Sequence, residues 1–288
     1  MISHSKIEKI IFDFISNSPD NSLKMETGEP AWEEALVGYS SGDDAIFEGY
    51  KKNIGEFHFT PAEIFNLTFP DKKAKPEDLT VISWVLPQRE ATKKDNRAED
   101  FYPAERWVMA RFPGEEFNEL LRKHVVEELG GKGIDAVVPT LSPHWKFETE
   151  SKFGFSSNWS ERHAAFASGL GTFGACDGLI TPKGKAHRVG SIVARLKLDP
   201  TPRPYTDHQA YCLFYAKNKC LACAKRCPVD AITKDGHDKT KCLGHVWDTC
   251  SKYIKENYDF DGYGCGLCQT KVPCESGIPK GINVEKSR

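Results

Sequence analysis

The chain has 288 residues, enough for one large domain or two ordinary ones around a sizeable buried core. A formal net charge of −2 gives no global attraction to nucleic acid or to an anionic membrane, so any such contact would have to be local. The first residues, Met1-Ile2-Ser3-His4-Ser5-Lys6, lead into charged sequence without an apolar signal core, and no run of about 18 uncharged apolar residues follows, which predicts a soluble cytoplasmic protein without membrane contact.

Ile7, Ile10, Ile11, Phe14 and Ile15 recur at helical spacing, so an amphipathic helix is predicted from about Ser5 to Ser16. Asp78 to Leu86 is rich in β-branched and aromatic residues and ends at Pro87, which predicts a buried strand. Gln88 to Arg106 follows as a long charged loop carrying Lys93, Lys94, Arg97, Glu99 and Asp100, at the strand end where such folds place ligand contacts. Phe117, Leu120, Leu121, His124, Val125 and Leu129 mark a helix that stops at Gly130-Gly131, and Ile134 to Val138 reads as the next strand. A helix over Ser160 to Ser168 has Asn158 and Glu161 spaced as a capping box and Gly169 with Gly171 as its stop; a strand is predicted near Ser191 to Leu198. The alternation of helix and strand predicts an α+β fold with an α/β sandwich first. Pro200, Pro202 and Pro204 form a stiff connector, and we place the boundary there, with an α/β domain over 1–203 and a cysteine-rich domain over 204–288.

Nine of the ten cysteines lie between Cys212 and Cys274, and the tenth is Cys176. In a chain without a signal peptide, C-x2-C spacing favours metal or clusters over disulfides. The run Cys220-x2-Cys223-x3-Cys227-Pro228 matches the last three cysteines and the proline of the bacterial ferredoxin pattern, with Lys217 where the first cysteine belongs and Cys212 as its upstream substitute. In that pattern the cysteine before proline serves the other cluster. The predicted ligand sets are therefore Cys212, Cys220, Cys223 and Cys274 for one 4Fe-4S cubane, and Cys227, Cys242, Cys265 and Cys268 for a second. Cys176 and Cys250 are left over, although Cys250 and Cys242 could exchange roles. Ala222, Ala224, Gly264 and Gly266 are small enough to let the chain wrap a cubane, and Pro228 is expected to open a short helix through Ile232. A tetrahedral zinc site is the alternative for two C-x2-C pairs, disfavoured by the Cys-Pro signature and the surplus of ligands; a redox dithiol lacks the thioredoxin-like context.

Over roughly Thr80 to Cys274 the chain resembles the epoxyqueuosine reductase family, which is related to the reductive dehalogenases. The stretch Glu161-Arg162-His163-Ala164-Ala165-Phe166-Ala167-Ser168-Gly169-Leu170-Gly171-Thr172-Phe173-Gly174 is similar to the family's E-R-x-x-A-x-x-A-G-L-G-W-x-G, with departures at Ser168 and Thr172. Tyr263-Gly264-Cys265-Gly266-Leu267-Cys268 after the lone Cys242 is similar to its Y-G-C-x-x-C array. The resemblance implies a nitroreductase-like, corrinoid-binding α/β domain followed by a ferredoxin-like double 4Fe-4S domain. It places a cobalamin, held without a protein histidine, against Ser157, Asn158, Arg162, Gly169, Leu170, Gly171 and Gly174. Where the family keeps the aspartate of a D-S-x-P motif, a proposed proton donor, this chain has Phe155, so Phe155 to Ser160 is expected to build a different pocket. The chain also ends at Arg288 without the helical-repeat extension that many of those enzymes use on transfer RNA.

The function these readings imply is a cobalamin-dependent reductase, its clusters fed by a donor such as ferredoxin or flavodoxin and passing electrons to cobalt for use on a small-molecule substrate. Tyr102, Glu105, Arg106, Arg162 and His163 are the candidates for proton or polar contacts. The alternative is an electron-transfer or corrinoid-reducing accessory protein without a substrate of its own. Modification of transfer RNA ranks last, because a basic face would have only Lys72, Lys73, Lys75 and a scattered tail to draw on.

Overall fold

The computed structural model describes residues 2–151, 153–282 and 284. Helix α1 (His4–Asn17) leads to strand β1 (Leu36–Ser41), helices α2 (Ala45–Asn53) and α3 (Pro61–Thr68), and strand β2 (Thr80–Pro87). Helices α4 (Glu90–Ala98), α5 (Glu105–Arg111) and α6 (Pro113–Gly130) follow, then strand β3 (Ala136–Val137) and the hairpin β4 (Phe147–Ser151) and β5 (Gly154–Ser157). Helix α7 (Glu161–Ala167), the short pair β6 (Thr172–Phe173) and β7 (Leu179–Ile180), and strand β8 (His187–Ala194) complete the α/β part. The cysteine-rich part holds α8 (Leu213–Lys217), α9 (Ala222–Lys225), β9 (Ile232–Thr233), β10 (Gly236–His237), α10 (Lys239–Gly244), a π-helical turn over His245–Cys250 and α11 (Ser251–Tyr258).

The main sheet is antiparallel in the order β1-β2-β8-β3. Alternation along its two central strands builds the layers. Ile82, Trp84, Leu86, Ile192 and Ala194 face one apolar cluster with Ile7, Ile11 and Ile15 of α1 and Phe117, Leu121 and Val125 of α6. Val81, Val85, Val189 and Val193 face the other, with Phe47 of α2, Ile64 and Phe65 of α3, and Ala164 and Ala165 of α7. Trp84 fits because its partner across the strands is Gly190, where a Cβ would lie 2.5 Å from the indole Nε1.

Several expectations need correction. The last long strand is His187–Ala194, four residues earlier than predicted, because this stretch pairs with Pro87 through Thr80; beyond it the chain turns, with Leu196 N donating to Ala194 O. The strand predicted over Ile134 to Val138 shrinks to two residues, since β8 ends at Ala194, opposite Ala136. Asn158 does not cap α7: Ser160 holds that position, while the Asn158 amide donates to His144 O and accepts from Lys146 N. The charged segment Gln88 to Arg106 holds α4 and the start of α5 rather than an open loop, and its charges dock on the far end of the chain: Arg97 grips Glu275 and Lys93 donates to Ser276 Oγ. No helix forms after Pro228, because the Ala231 amide donates to Cys227 Sγ at 3.2 Å and Asp230 takes φ of 50°.

The proline-marked connector lies along β1. Thr201 N donates to Tyr39 O at 2.9 Å, Tyr39 N donates to Thr201 Oγ1 at 3.0 Å, and Arg203 bridges Asp44 and Ala167 O. The apolar cluster under α2, α3 and α7 continues through Tyr205, Tyr211, Cys212, Cys223, Val272 and Cys274, so one core runs across the expected boundary at residue 203. Among the described residues no helix is long and apolar enough to cross a membrane.

Candidate metal centre

Local backbone geometry sets the thiols. Cys212 precedes α8, which ends at Asn218 in the left-handed region; Cys220 and Leu221 follow with φ of 99° and 62°. Two successive non-glycine residues at positive φ are costly and persist only where the surroundings hold them. Here they turn the Ala222 amide toward Cys220 Sγ, 3.4 Å away. Cys223 then enters through α9 and is buried. Of the small residues expected to ease the wrap, Gly266 is the one the geometry demands. Its φ is 70°, and a Cβ would lie 2.0 Å from Nε1 and Cε2 of Trp107, so the Cys265-x2-Cys268 loop lies flush on α5.

Cys212, Cys220, Cys223 and Cys274 line one cavity, part of it open to solvent. Three separate stretches of chain thus bring the first predicted ligand set to one place. Among the described residues no three His, Cys, Asp or Glu side chains are grouped to hold a single ion. Lys185 also lines this cavity, and its ammonium donates to Cys176 Sγ at 3.2 Å.

The second predicted set is more dispersed. Cys265 lies beside Cys250 and His245: the Cys250 thiol is the strongest influence pushing the Cys265 thiol up, ahead of burial. The π turn explains the pairing, since its i to i+5 spacing stacks His245 over Cys250, with Nε2 3.3 Å from Sγ. Cys268 is next to Cys176. Cys242 instead neighbours His237, whose Nδ1 lies 3.0 Å from Asp177 Oδ2; Asp177 first and then Cys242 push that imidazole up to about 10. These two histidines and Lys185 were missed by the sequence reading. A usable signal existed for the histidines in the repeated spacing His237-x4-Cys242 and His245-x4-Cys250. None existed for Lys185.

Burial and charge act together around Cys176. Hydrogen bonding from Cys223 and then Cys268 holds its thiol well below the ordinary range, with the Lys185 ammonium adding to the effect. Burial pulls the Lys185 ammonium down, yet Cys176 and the neighbouring cysteines keep it well above its usual value.

The seven residues offered to a corrinoid are engaged by protein. Ser157 Oγ donates to Trp159 O, Arg162 Nη1 donates to Asp177 O, and Asn158 is bonded as described above. A Cβ on Gly171 would lie 2.2 Å from Ile180 O, one on Gly169 would lie 3.0 Å from Pro202 O, and one on Gly174 would lie 3.3 Å from Ile180 Cδ1. Leu170 is buried against Gly38. These glycines therefore serve close backbone packing, and the residues as placed fit a corrinoid wall poorly. Of the proton candidates, Glu105 opens α5, while Arg106 pairs with Glu29 and Asp95, Tyr102 stacks on Tyr253 at 3.9 Å, and His163 Nδ1 sits 2.8 Å from Ser160 Oγ with burial holding its imidazole neutral. Phe155 packs between Phe147 and Trp247.

No protein-family model and no curated protein matches the chain. Among solved structures it is similar to a catabolic reductive dehalogenase in complex with 3-bromo-4-hydroxybenzoic acid, at 14% identity and a TM-score of 0.51 over 98% of this chain and 39% of that one. A variant of that enzyme matches at 13% identity and a TM-score of 0.50, over 98% of this chain and 38% of the other. A selenomethionine-labelled epoxyqueuosine reductase aligns at 15% identity and a TM-score of 0.46, over 88% of this chain and 64% of its own. The chain thus spans less than two thirds of these neighbours. The solved structures it resembles are reductive dehalogenases and epoxyqueuosine reductases, the two groups named by the sequence resemblance, and at 13 to 15% identity what the chain shares with the dehalogenases is a mixed α/β fold.

Proposed function

We propose that this chain is an iron–sulfur redox protein with two 4Fe-4S sites. The observation that carries the reading is the one cavity lined by Cys212, Cys220, Cys223 and Cys274, a donor set of four cysteines brought together from separate stretches of chain. For the second site we take Cys227, Cys265 and Cys268 with Cys250 as the fourth ligand, because Cys250 is fully buried beside Cys265 while Cys242 sits with His237. When bound, such clusters supply one-electron transfer at potentials tuned by the protein. The chain's part is to hold the thiolates, to aim the Ala222 and Ala231 amides at Cys220 and Cys227 Sγ, and to keep Cys223 and Cys274 away from water.

The corrinoid residues fit poorly, which favours an electron-transfer protein, reduced by a donor such as ferredoxin or flavodoxin, over a reductase with its own cobalamin and small-molecule substrate. Anaerobic reconstitution followed by iron, sulfide, zinc and cobalt analysis with paramagnetic-resonance spectra tests the assignment. About eight iron atoms per chain are expected, four for each cubane. One zinc and no iron would overturn it, and stoichiometric cobalamin retained through gel filtration would restore the reductase reading.

A further inference from the structure

Cys176 belongs to neither proposed ligand set, yet it is placed with care. It is 6% exposed and packs in the same buried cluster as Cys223 of one set, with Cys268 of the other packed against that cluster. Its Sγ accepts from Lys185 Nζ at 3.2 Å, and Lys185 is itself only 2% exposed. A lysine is seldom buried this deeply unless something compensates its charge.

The backbone fixes that lysine. Lys185 N donates to Cys274 O at 2.9 Å and to Glu275 O at 3.1 Å, which ties it to a proposed ligand. The preceding Gly184 has φ of 85°, and a Cβ there would lie 2.0 Å from Glu275 O, so the loop can come this close only with glycine. The Lys185 side chain then runs into the wall of the four-cysteine cavity. Cluster potentials respond to net charge, to hydrogen bonds on sulfur and to solvent exposure. Reduction adds one negative charge; Lys185 lines the cavity and Cys176 does not, so the ammonium, although paired with the Cys176 sulfur behind it, faces the cluster and stabilises the reduced form more than the oxidised one.

We propose that Lys185, anchored by Cys176, is a built-in cation that raises the reduction potential of the cluster held by Cys212, Cys220, Cys223 and Cys274. Cys176 is a positioning residue in this arrangement and does not ligate iron. The inference rests on the iron–sulfur reading above.

The test is an anaerobic redox titration of the reconstituted full chain, followed by paramagnetic resonance, with iron counted in every sample. Lys185→Met is expected to bind the same iron as wild type, with one midpoint lowered by at least about 59 mV, a tenfold change for a one-electron couple. Lys185→Arg should stay near the wild-type midpoint, and Cys176→Ser should keep its iron. If wild type takes up no iron, the iron–sulfur reading fails and this inference falls with it. If wild type loads fully and Lys185→Met titrates at the wild-type potential, this inference alone fails. Should Lys185→Met not assemble, iron uptake by Lys185→Arg but not Lys185→Gln supports the role of the charge, and failure of Lys185→Arg overturns it. Loss of about four irons in Cys176→Ser, one cubane's worth, would make Cys176 a ligand and overturn its assignment.

Discussion

Replacing Gly266 by alanine isolates the contact that seats the second cysteine pair. The substitution adds one methyl, and two costs can be read from the structure. The residue sits at φ of 70°, where an L side chain loses about 1–2 kcal/mol. The new Cβ would also lie 2.0 to 2.3 Å from three atoms of the Trp107 indole, which is 5% exposed and has little room to retreat. Overpacking of this kind costs about 1–3 kcal/mol, so the sum is about 2–5 kcal/mol, a large share of a typical total stability of roughly 5–15 kcal/mol. The assay is urea unfolding of the anaerobically purified protein, with wild type, Gly266→Ala, Trp107→Leu and the double variant forming a cycle. In the Trp107→Leu background the Gly266→Ala penalty should fall to the conformational part, about 1–2 kcal/mol. A penalty below about 0.5 kcal/mol, the usual level of a neutral surface change, would refute the argument. So would an equal penalty in both backgrounds.

Four further outcomes follow from other contacts. Arg122 is buried between Glu115 and Glu161, so Arg122→Met should destabilise by about 3–5 kcal/mol in the same assay by leaving the buried Glu161 carboxyl without a cation and Glu115 with Arg188 alone. Burial alone would raise the Glu115 carboxyl, but Arg188 and Arg122 overcome it and hold it down to about 2. Its contribution is therefore present above the ordinary carboxyl value of 4.5 and lost as pH falls toward 2, about 2–3 kcal/mol after allowing for its 23% exposure; Glu115→Gln should flatten that acid limb of the stability curve, while Glu161, pushed up by burial, works in the opposite sense. Cys250→Ala should cost the reconstituted protein one cubane, about four iron atoms, and Cys242→Ala should leave the count unchanged; the reverse result would return Cys242 to the second ligand set. Gly171→Ala should destabilise cobalamin-free protein by about 1–3 kcal/mol, since its Cβ would meet Ile180 O, and an unaltered melting temperature would show that this glycine is not there for packing.

Much of this was legible in the sequence because it is local. The isoleucine spacing of α1, the buried run of β2 and the apolar stripe of α6 are short-range patterns, and each element lies close to where periodicity puts it. The spacing of Cys220, Cys223 and Cys227 before Pro228 is a short-range constraint on how thiols can wrap a cluster, and Cys212 and Cys274 were added to complete the ferredoxin pattern. Where local pattern and pairing disagreed, pairing decided: β8 begins at His187 because β2 offers it a partner there, and Gln88 to Arg106 folds into helices whose charges have partners near Glu275. The glycine-rich stretch after α7 shows the limit most plainly. Its sequence reads both as a cofactor wall and as tight packing, and the structure adds what no local pattern carries, Ile180 O where a Cβ of Gly171 would go. Cys176 and Lys185 are nine residues apart with no motif between them. Their meeting beside Cys223, Cys268 and Cys274 depends on how the end of the chain folds back over the loop before β8. Distant segments come together through packing, which is a property of the whole chain, whereas ligand spacing belongs to a few adjacent residues. The sequence by itself therefore determined which cysteines are the candidates for a cluster, and the tertiary structure decided which charge lies beside them.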